Sequence, residues 1–394
     1  MKHLGDITKI NGAEIETVDV ITGGSPCQDL SIAGKRAGLA GARSGLFMEQ
    51  IRIVKEMRAH DKANGRTGDM VRPRFMVWEN VPGAFSSNKG QDFAAVLEEI
   101  IRIAEPEAPD IEVPEKGWNT WGGYHDEVGG RWSVAWRVHD AQHWGVPQRR
   151  RRISVVADFG GDTAGEILFE RKSVSRHFAE SGTARERLAG NAESSAGRTG
   201  ESIAHAYGET GVGYWQNGVQ TLRAEGENRP SRPSNVVVCM ATQQGGAELR
   251  TDDRSPTLQA KESRGQSLNL NNTVRQNMVV RRLTPMECER LQGYPDGWTD
   301  IGEWRDSKGK LRKDADSPRY KSCGNSIALP FWDFLAKRIS AQYLRPVTMG
   351  SLFDGIGGFP LVFERHNGKG TARWASEIEE FPIAVTKLRF GGEK

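Results

Sequence analysis

Nowhere in the 394 residues do about 18 apolar side chains run consecutively, the length a membrane-crossing helix needs. Cysteine is scarce. Cys27, Cys239, Cys288 and Cys323 are the only four, and no two form a C-x-x-C pair. That excludes a disulfide framework and the usual zinc sites, so no metal is expected, and lone thiols of this kind suit a reducing compartment. The opening Met1–Asp6 has no apolar stretch of the signal-peptide type, so a cytoplasmic protein is expected. Charge of one sign is also missing: 54 basic against 51 acidic side chains leave a formal charge of +3. Taken alone, that balance argues against a strongly basic nucleic-acid binder.

With 37% hydrophobic residues, the chain has enough length and apolar content for two or three domains, each burying its own core. Over the first 160 residues, strand-like apolar runs alternate with helical stretches, the pattern of an α/β sheet. Val18–Thr22 leads into Gly23-Gly24-Ser25-Pro26-Cys27, and Arg74–Trp78 leads into Glu79-Asn80-Val81. Leu46–Arg58 between them has helical spacing, and further strands are expected at Trp132–Val138 and Ile153–Ala157. Residues 179–211, rich in Ala, Gly, Ser and Glu, read as a mobile insert. A loose repeat follows. Thr221-Leu222 leads to Asn235–Val238 and Thr257-Leu258 leads to Asn277–Val280, which predicts two similar hairpins in a β-rich subdomain. The α/β pattern then returns, with a helix over Phe331–Tyr343, strands at Val347–Phe353 and Arg373–Ser376, and a helix over Glu379–Phe390.

Three groups of residues bear chemistry. Gly355-Ile356-Gly357-Gly358 follows a strand and should open a helix, with Glu377 at the end of the next strand. Glycines there let backbone amides approach a ligand, and an acid in the second place can bind ribose hydroxyls. The pair does not by itself separate NAD from S-adenosylmethionine, although the turn is not the G-x-G-x-x-G a pyrophosphate prefers. Pro26-Cys27-Gln28, at a strand's carboxyl end, opens a glycine-rich loop through Ser31 to Gly45. A thiol so placed can meet amides and arginines that favour its reactive thiolate. Glu79-Asn80 ends another strand in the same way, and Gln148, Arg150 and Arg152 alternate into a further strand. Each has an ordinary alternative: a buried cysteine, a helix cap, a solvated basic run. Only their coincidence points to one cleft.

Taken together, these blocks resemble the DNA (cytosine-5) methyltransferases. Phe353–Phe359, Gly5-Asp6-Ile7, Pro26-Cys27-Gln28, Glu79-Asn80-Val81, Gln148–Arg152, Arg282–Pro295 and Gly324-Asn325-Ser326 carry the likeness. It spans nearly all of the chain outside about 160–250. Its order departs from the family's, because the Phe353 block comes last instead of first. The sequence thus reads as a circular permutation, with Arg345-Pro346-Val347 bridging what would ordinarily be chain ends.

The resemblance implies a Rossmann-like α/β S-adenosylmethionine-dependent methyltransferase fold with a smaller, β-rich target-recognition domain. Residues 1–158 and 319–394 would form the catalytic domain, and 159–318, with the 179–211 insert, the recognition domain. It further implies that Cys27 adds to C6 of a flipped-out cytosine while Glu79 engages N3, and that Arg150 and Arg152 steady the base. The implied cofactor set is Phe353, Asp354, Gly355, Gly357, Gly358, Glu377, Ile378, Asp6, Ile7, Pro26, Asn325 and Ser326. Asp6 and Glu377 should be neighbours through a strand at about His3–Asp6. DNA contacts fall to Gln28, Ser31, Asn80, Gln148 and the elements Thr257-Leu258 and Thr221-Leu222; two such elements imply two target sequences. The expected partners are double-stranded DNA and a cognate restriction endonuclease, with a monomeric enzyme associated with the nucleoid when on DNA. An RNA cytosine-5 methyltransferase, a DNA-binding regulator with a dead site and a nicotinamide dehydrogenase are the other readings.

Overall fold

The computed structural model describes residues 1–25, 45–126, 130–169 and 283–391, together with the backbone of six short strands between 207 and 282. The strands are β1 (Lys2–His3), β2 (Val20–Gly23), β3 (Phe75–Asn80), β4 (Trp121–His125), β5 (Ser133–Asp140) and β6 (Arg151–Asp158), then β7 (Tyr207–Thr210), β8 (Tyr214–Asn217), β9 (Met240–Gln243), β10 (Gly246–Leu249), β11 (Thr273–Gln276) and β12 (Val279–Arg282), and last β13 (Trp304–Arg305), β14 (Leu311–Arg312), β15 (Met349–Leu352) and β16 (Ala372–Ser376). The α-helices are α1 (Gly45–Ala63), α2 (Gln91–Ile101), α3 (Ala164–Leu168), α4 (Pro285–Gln292), α5 (Asp316–Asn325), α6 (Leu329–Ser340), α7 (Gly358–Asn367) and α8 (Glu380–Arg389).

Eight strands form one sheet in the order β1-β16-β15-β2-β3-β6-β5-β4. The first five are mutually parallel, and β6, β5 and β4 continue it antiparallel. This is an α/β Rossmann-like sheet. Alternation along its strands separates two cores. Ile21, Met76, Trp78 and Leu352 face α1 and α2. Val20, Phe75, Val77 and Met349 face α6, α7 and α8. Gly350 is a glycine because its cross-strand partner is Trp374, whose ring occupies the space a Cβ would need.

The late strand β15 is central, between β2 and β16. A buried carboxylate fastens it there. Asp19 accepts hydrogen bonds from Arg345 Nη1 and Nη2, both at 2.7 Å, and from Thr348 N and Oγ1 at 2.8 and 2.9 Å. Burial favours the neutral acid, but the bonds from Arg345 and Thr348 win and hold it below the ordinary carboxylate range.

Most expected elements are present with shifted ends. The strand expected at His3–Asp6 is shorter: Lys2 and His3 pair with Trp374 and Ala375 of β16, and Asp6 instead caps a 3₁₀ turn by accepting from Thr8 N at 3.0 Å. In the middle of the chain, β9–β10 and β11–β12 are antiparallel hairpins joined in a four-stranded sheet. β11–β12 overlaps the second expected repeat, whereas Thr221-Leu222 and Thr257-Leu258 lie outside the described residues; of the 179–211 insert only the backbone of β7 is described. Periodicity did not single out α2, α4 or α5. Helix α5 is short and mostly polar, and α4 is signalled instead by its cap: Thr284 accepts from Glu287 N while Glu287 accepts from Thr284 N. Among the described residues no helix is long and apolar enough to cross a membrane.

Candidate active site

The parallel strands β2, β3, β15 and β16 all end at one rim, where open α/β sheets place their ligands. Because β6 runs antiparallel to β3, its amino end arrives at the same rim and brings Arg150 and Arg152 opposite the carboxyl end of β3. A cavity of about 680 Å³ opens there, within the range of ligand pockets. Its lining has two unlike ends.

At one end stand Glu79, Asn80, Arg150 and Arg152. Arg152 Nε lies 2.9 Å from Glu79 Oε1, and both side chains are only 14% exposed, so the ion pair is largely shielded from water. Gly24 leaves room for this carboxylate: a Cβ there would stand 2.8 Å from Glu79 Oε2. Asn80 Nδ2 donates to Ser25 O at 3.0 Å, and Trp78 Nε1 to Ser25 Oγ at 3.0 Å. Alternate residues of β3 thus pin Ser25, the residue from which the chain enters Pro26-Cys27. Sequence reading passed over Ser25; its place directly before that dipeptide was the available signal. Pro26, Cys27, Gln28 and Ser31 lie outside the described residues.

Gln148, Arg150 and Arg152 alternate as expected, but with unequal reach. Gln148 is wholly buried and does not line the cavity. The Arg150 guanidinium is buried as well, donating to Gly324 O at 3.2 Å and to Ser326 O. Burial, then repulsion from Arg152, lowers its pKa, with Glu79 opposing. Arg150 therefore ties the base of β6 to the 324–326 turn, and Arg152 is the guanidinium that meets Glu79. Behind them His139, paired across the strands with Arg152, stacks on Phe331 at 3.6 Å and lies 3.0 Å from Ser154 Oγ. Burial and three arginines keep this imidazole neutral.

The other end is acidic. Asp6, Ile7, Phe353, Gly355, Glu377, Ile378, Glu379 and Asn325 line it. Glu377 Oε2 accepts from Gly355 N at 2.8 Å, and Oε1 accepts from Ile378 N and Glu379 N at 2.7 and 2.8 Å. A carboxylate with three amide donors is rigidly aimed and retains lone pairs for a ligand. Phe353 adopts φ +55°, rare for a bulky residue, and Gly355 follows at φ +56° with open space where a Cβ would point. This strained turn puts Phe353 and Gly355 on the cavity and turns Asp354 inward. Gly357 and Gly358 do not line the cavity. They admit Phe390 and Tyr294, which would collide with any side chain there.

Asp354 is 5% exposed, and neither carboxyl oxygen has a hydrogen-bond partner; the Ser351 hydroxyl is near but not bonded. Burial pushes this acid up to about 8, opposed by Ser351 and reinforced by the charge of Glu377. An acid raised in the folded state is protonated there while already ionised in the unfolded chain, so its contribution to stability falls as pH rises from about 4 to about 8. Asp354→Asn is therefore expected to gain stability over the parent, by more at pH 8 than at pH 5. Paired thermal melts at the two pH values measure this, and an equal difference at both would contradict the assignment.

Residues 1–103 and 115–341 match the model of the C-5 cytosine-specific DNA methylase family. This chain belongs to that family. It is 30% identical over 433 residues to a phage P1 protein named DNA N-6-adenine-methyltransferase, covering 87% of this chain and 56% of that one. It is 26% identical over 337 residues to the type II methyltransferase M1.ScrFI of Lactococcus lactis subsp. cremoris, covering 85% and 65%. With M.SsoII of Shigella sonnei, another type II methyltransferase, the identity is 23% over 340 residues, covering 85% and 67%. The chain thus spans less than two thirds of the length of the first two relatives. Residues 349–391, which supply β15, β16 and most of the acidic end of the cavity, lie outside the family-matched segments.

Proposed function

We propose that this chain methylates C5 of a cytosine in duplex DNA, with S-adenosylmethionine as methyl donor. The observation that carries the reading is the Glu79–Arg152 pair in one cavity with the acidic turn around Glu377. A cationic sulfonium cofactor suits an end lined by Asp6, Glu377 and Glu379. A pyrophosphate would be repelled there, which disfavours a nicotinamide dinucleotide. The open space at Gly355 and the half-buried ring of Phe353 would admit an adenosyl group, and Asn325, which lines the same cavity, would hold the methionine end.

Cytosine C5 is a poor nucleophile and needs activation. Cys27 Sγ adds to C6 as a thiolate while Glu79 engages N3, so electron density gathers at C5. Arg152, held by Glu79, faces the pyrimidine O2, and Asn80 shapes the pocket floor from the anchored Ser25. S-adenosylmethionine supplies an electrophilic methyl group. Loss of the C5 proton then expels Cys27. The base must leave the duplex to reach this rim, and the strands between 207 and 282 are the segment we assign to reading the target sequence. A restriction endonuclease partner and monomeric action belong to the same reading.

We also infer that the chain is circularly permuted. In its support, the cofactor segment follows the nucleophile segment yet furnishes the central strand β15, and the Met1 amino group lies 3.4 Å from Phe390 O. A chain recut near Arg345, with its present ends linked, should still bind the cofactor.

Incubation with duplex DNA and the cofactor, then digestion and mass spectrometry of the nucleosides, tests the function. We expect 5-methylcytosine. N6-methyladenine, or methylation of tRNA but not of duplex DNA, would refute the assignment.

A further inference from the structure

We propose that Tyr294 is a positioning residue for the cofactor cavity, its hydroxyl locking the 324–326 turn and the glycine-rich turn in one register. The inference rests on the cofactor reading above and adds to it a residue that does not line the cavity.

The argument begins at α4. Gly293, at φ +81°, ends this helix in a left-handed cap, and Tyr294 N donates back to Glu289 O at 3.0 Å. The cap turns the Tyr294 side chain inward, where it is 4% exposed. Its Oη lies 2.5 Å from Ser326 Oγ, a buried hydroxyl pair. Burial pushes the phenol pKa up, so it remains a neutral hydrogen-bonding group. The same Oη occupies the space over Gly358 that a Cβ would take, so the first residue of α7 seats directly on it. Four residues on, Trp298 Nε1 donates to Ile356 O at 2.8 Å, inside the glycine-rich turn. Arg389 Nε in turn donates to Trp298 O at 2.9 Å and fixes this clamp to α8.

One short segment therefore grips both sides of the cavity's acidic end: Ser326 beside Asn325, and Ile356 and Gly358 beside Gly355. Arg150 holds the 324–326 turn through carbonyl oxygens only. Tyr294 is what fixes the Ser326 side chain. The grip also has a direction along the chain, because β12 runs through Leu283 straight into α4. The strands assigned to sequence reading are thus one helix away from the cofactor turns.

Calorimetric titration of the full chain with S-adenosylhomocysteine tests this without turnover. Tyr294→Phe keeps the ring and removes the hydroxyl, and we expect it to weaken binding about 5–10-fold. Tyr320→Phe is the control. Tyr320 Oη donates to Leu283 O at 2.6 Å and does not line the cavity, so its loss costs a comparable bond but should leave affinity within about two-fold. Because Tyr294 and Ser326 share one bond, adding Ser326→Ala to Tyr294→Phe should weaken binding by less than the product of the single effects. Unchanged affinity in Tyr294→Phe, or equal weakening in Tyr320→Phe, overturns the proposal. A parent chain that binds no S-adenosylhomocysteine overturns the cofactor reading itself, a separate outcome.

Discussion

Cys27→Ser is expected to reduce methyl transfer by on the order of 10⁴-fold or more, the scale of losing a covalent nucleophile. A serine hydroxyl is not ionised near neutral pH, whereas a thiol is far more acidic and attacks as its thiolate. The two described cysteines offer no substitute: Cys288 and Cys323 are fully buried, and neither lines the cavity. The substitution is isosteric and falls after a segment anchored through Ser25, so folding and cofactor binding should persist. Duplex DNA carrying 5-fluorocytosine supplies a second readout, because fluorine at C5 cannot leave as a proton does. The parent should form an adduct that survives denaturing gels, and the variant should form none. Activity of the variant within ten-fold of the parent would sink the mechanism.

Glu79→Gln should lower kcat by about 10²–10⁴-fold while leaving cofactor affinity within about two-fold. The side chain keeps its length but loses the charge and proton that an engaged N3 requires. Its Oε1 also holds Arg152 at 2.9 Å, so the substitution frees a guanidinium in a site where both partners are 14% exposed. Arg152 would then lose its aim, and Arg152→Ala should reproduce much of the defect. The cofactor end is built from different strands, β15 and β16, with the 324–326 turn, which is why binding should be spared. A Glu79→Gln protein that loses cofactor affinity and kcat together would show that the two ends are not separable in this way.

Much of this site was legible in the residues because strand ends in an α/β chain announce themselves. Glu79-Asn80, the Phe353–Gly358 turn and Glu377 each follow an apolar run, and the polar or glycine residue that stops the run becomes the rim. The Asp6–Glu377 neighbourhood was implied by the family resemblance, and the pairing of β1 with β16 agrees with it. Other residues could not be read in advance. Gln148 and Arg150 alternate with Arg152 just as a rim residue would, yet packing buries them, and alternation carries no information about depth. Tyr294 sits in a capped helix end whose pattern predicts a turn; that its hydroxyl reaches Ser326 depends on where α4 lands. The raised pKa of Asp354 has the same origin, a carboxyl turned inward by the strained Phe353.

By itself the sequence determined the α/β alternation, the family and the chemical kinds of group at the rim, because these depend on residue type and short-range order. Tertiary structure alone decided which groups meet. Residues 79 and 152, and 294 and 326, are brought together by strand order, by the antiparallel entry of β6 and by the central position of β15. Strand order follows from burying both faces of one sheet at once, a condition on the whole chain that no local stretch of it contains.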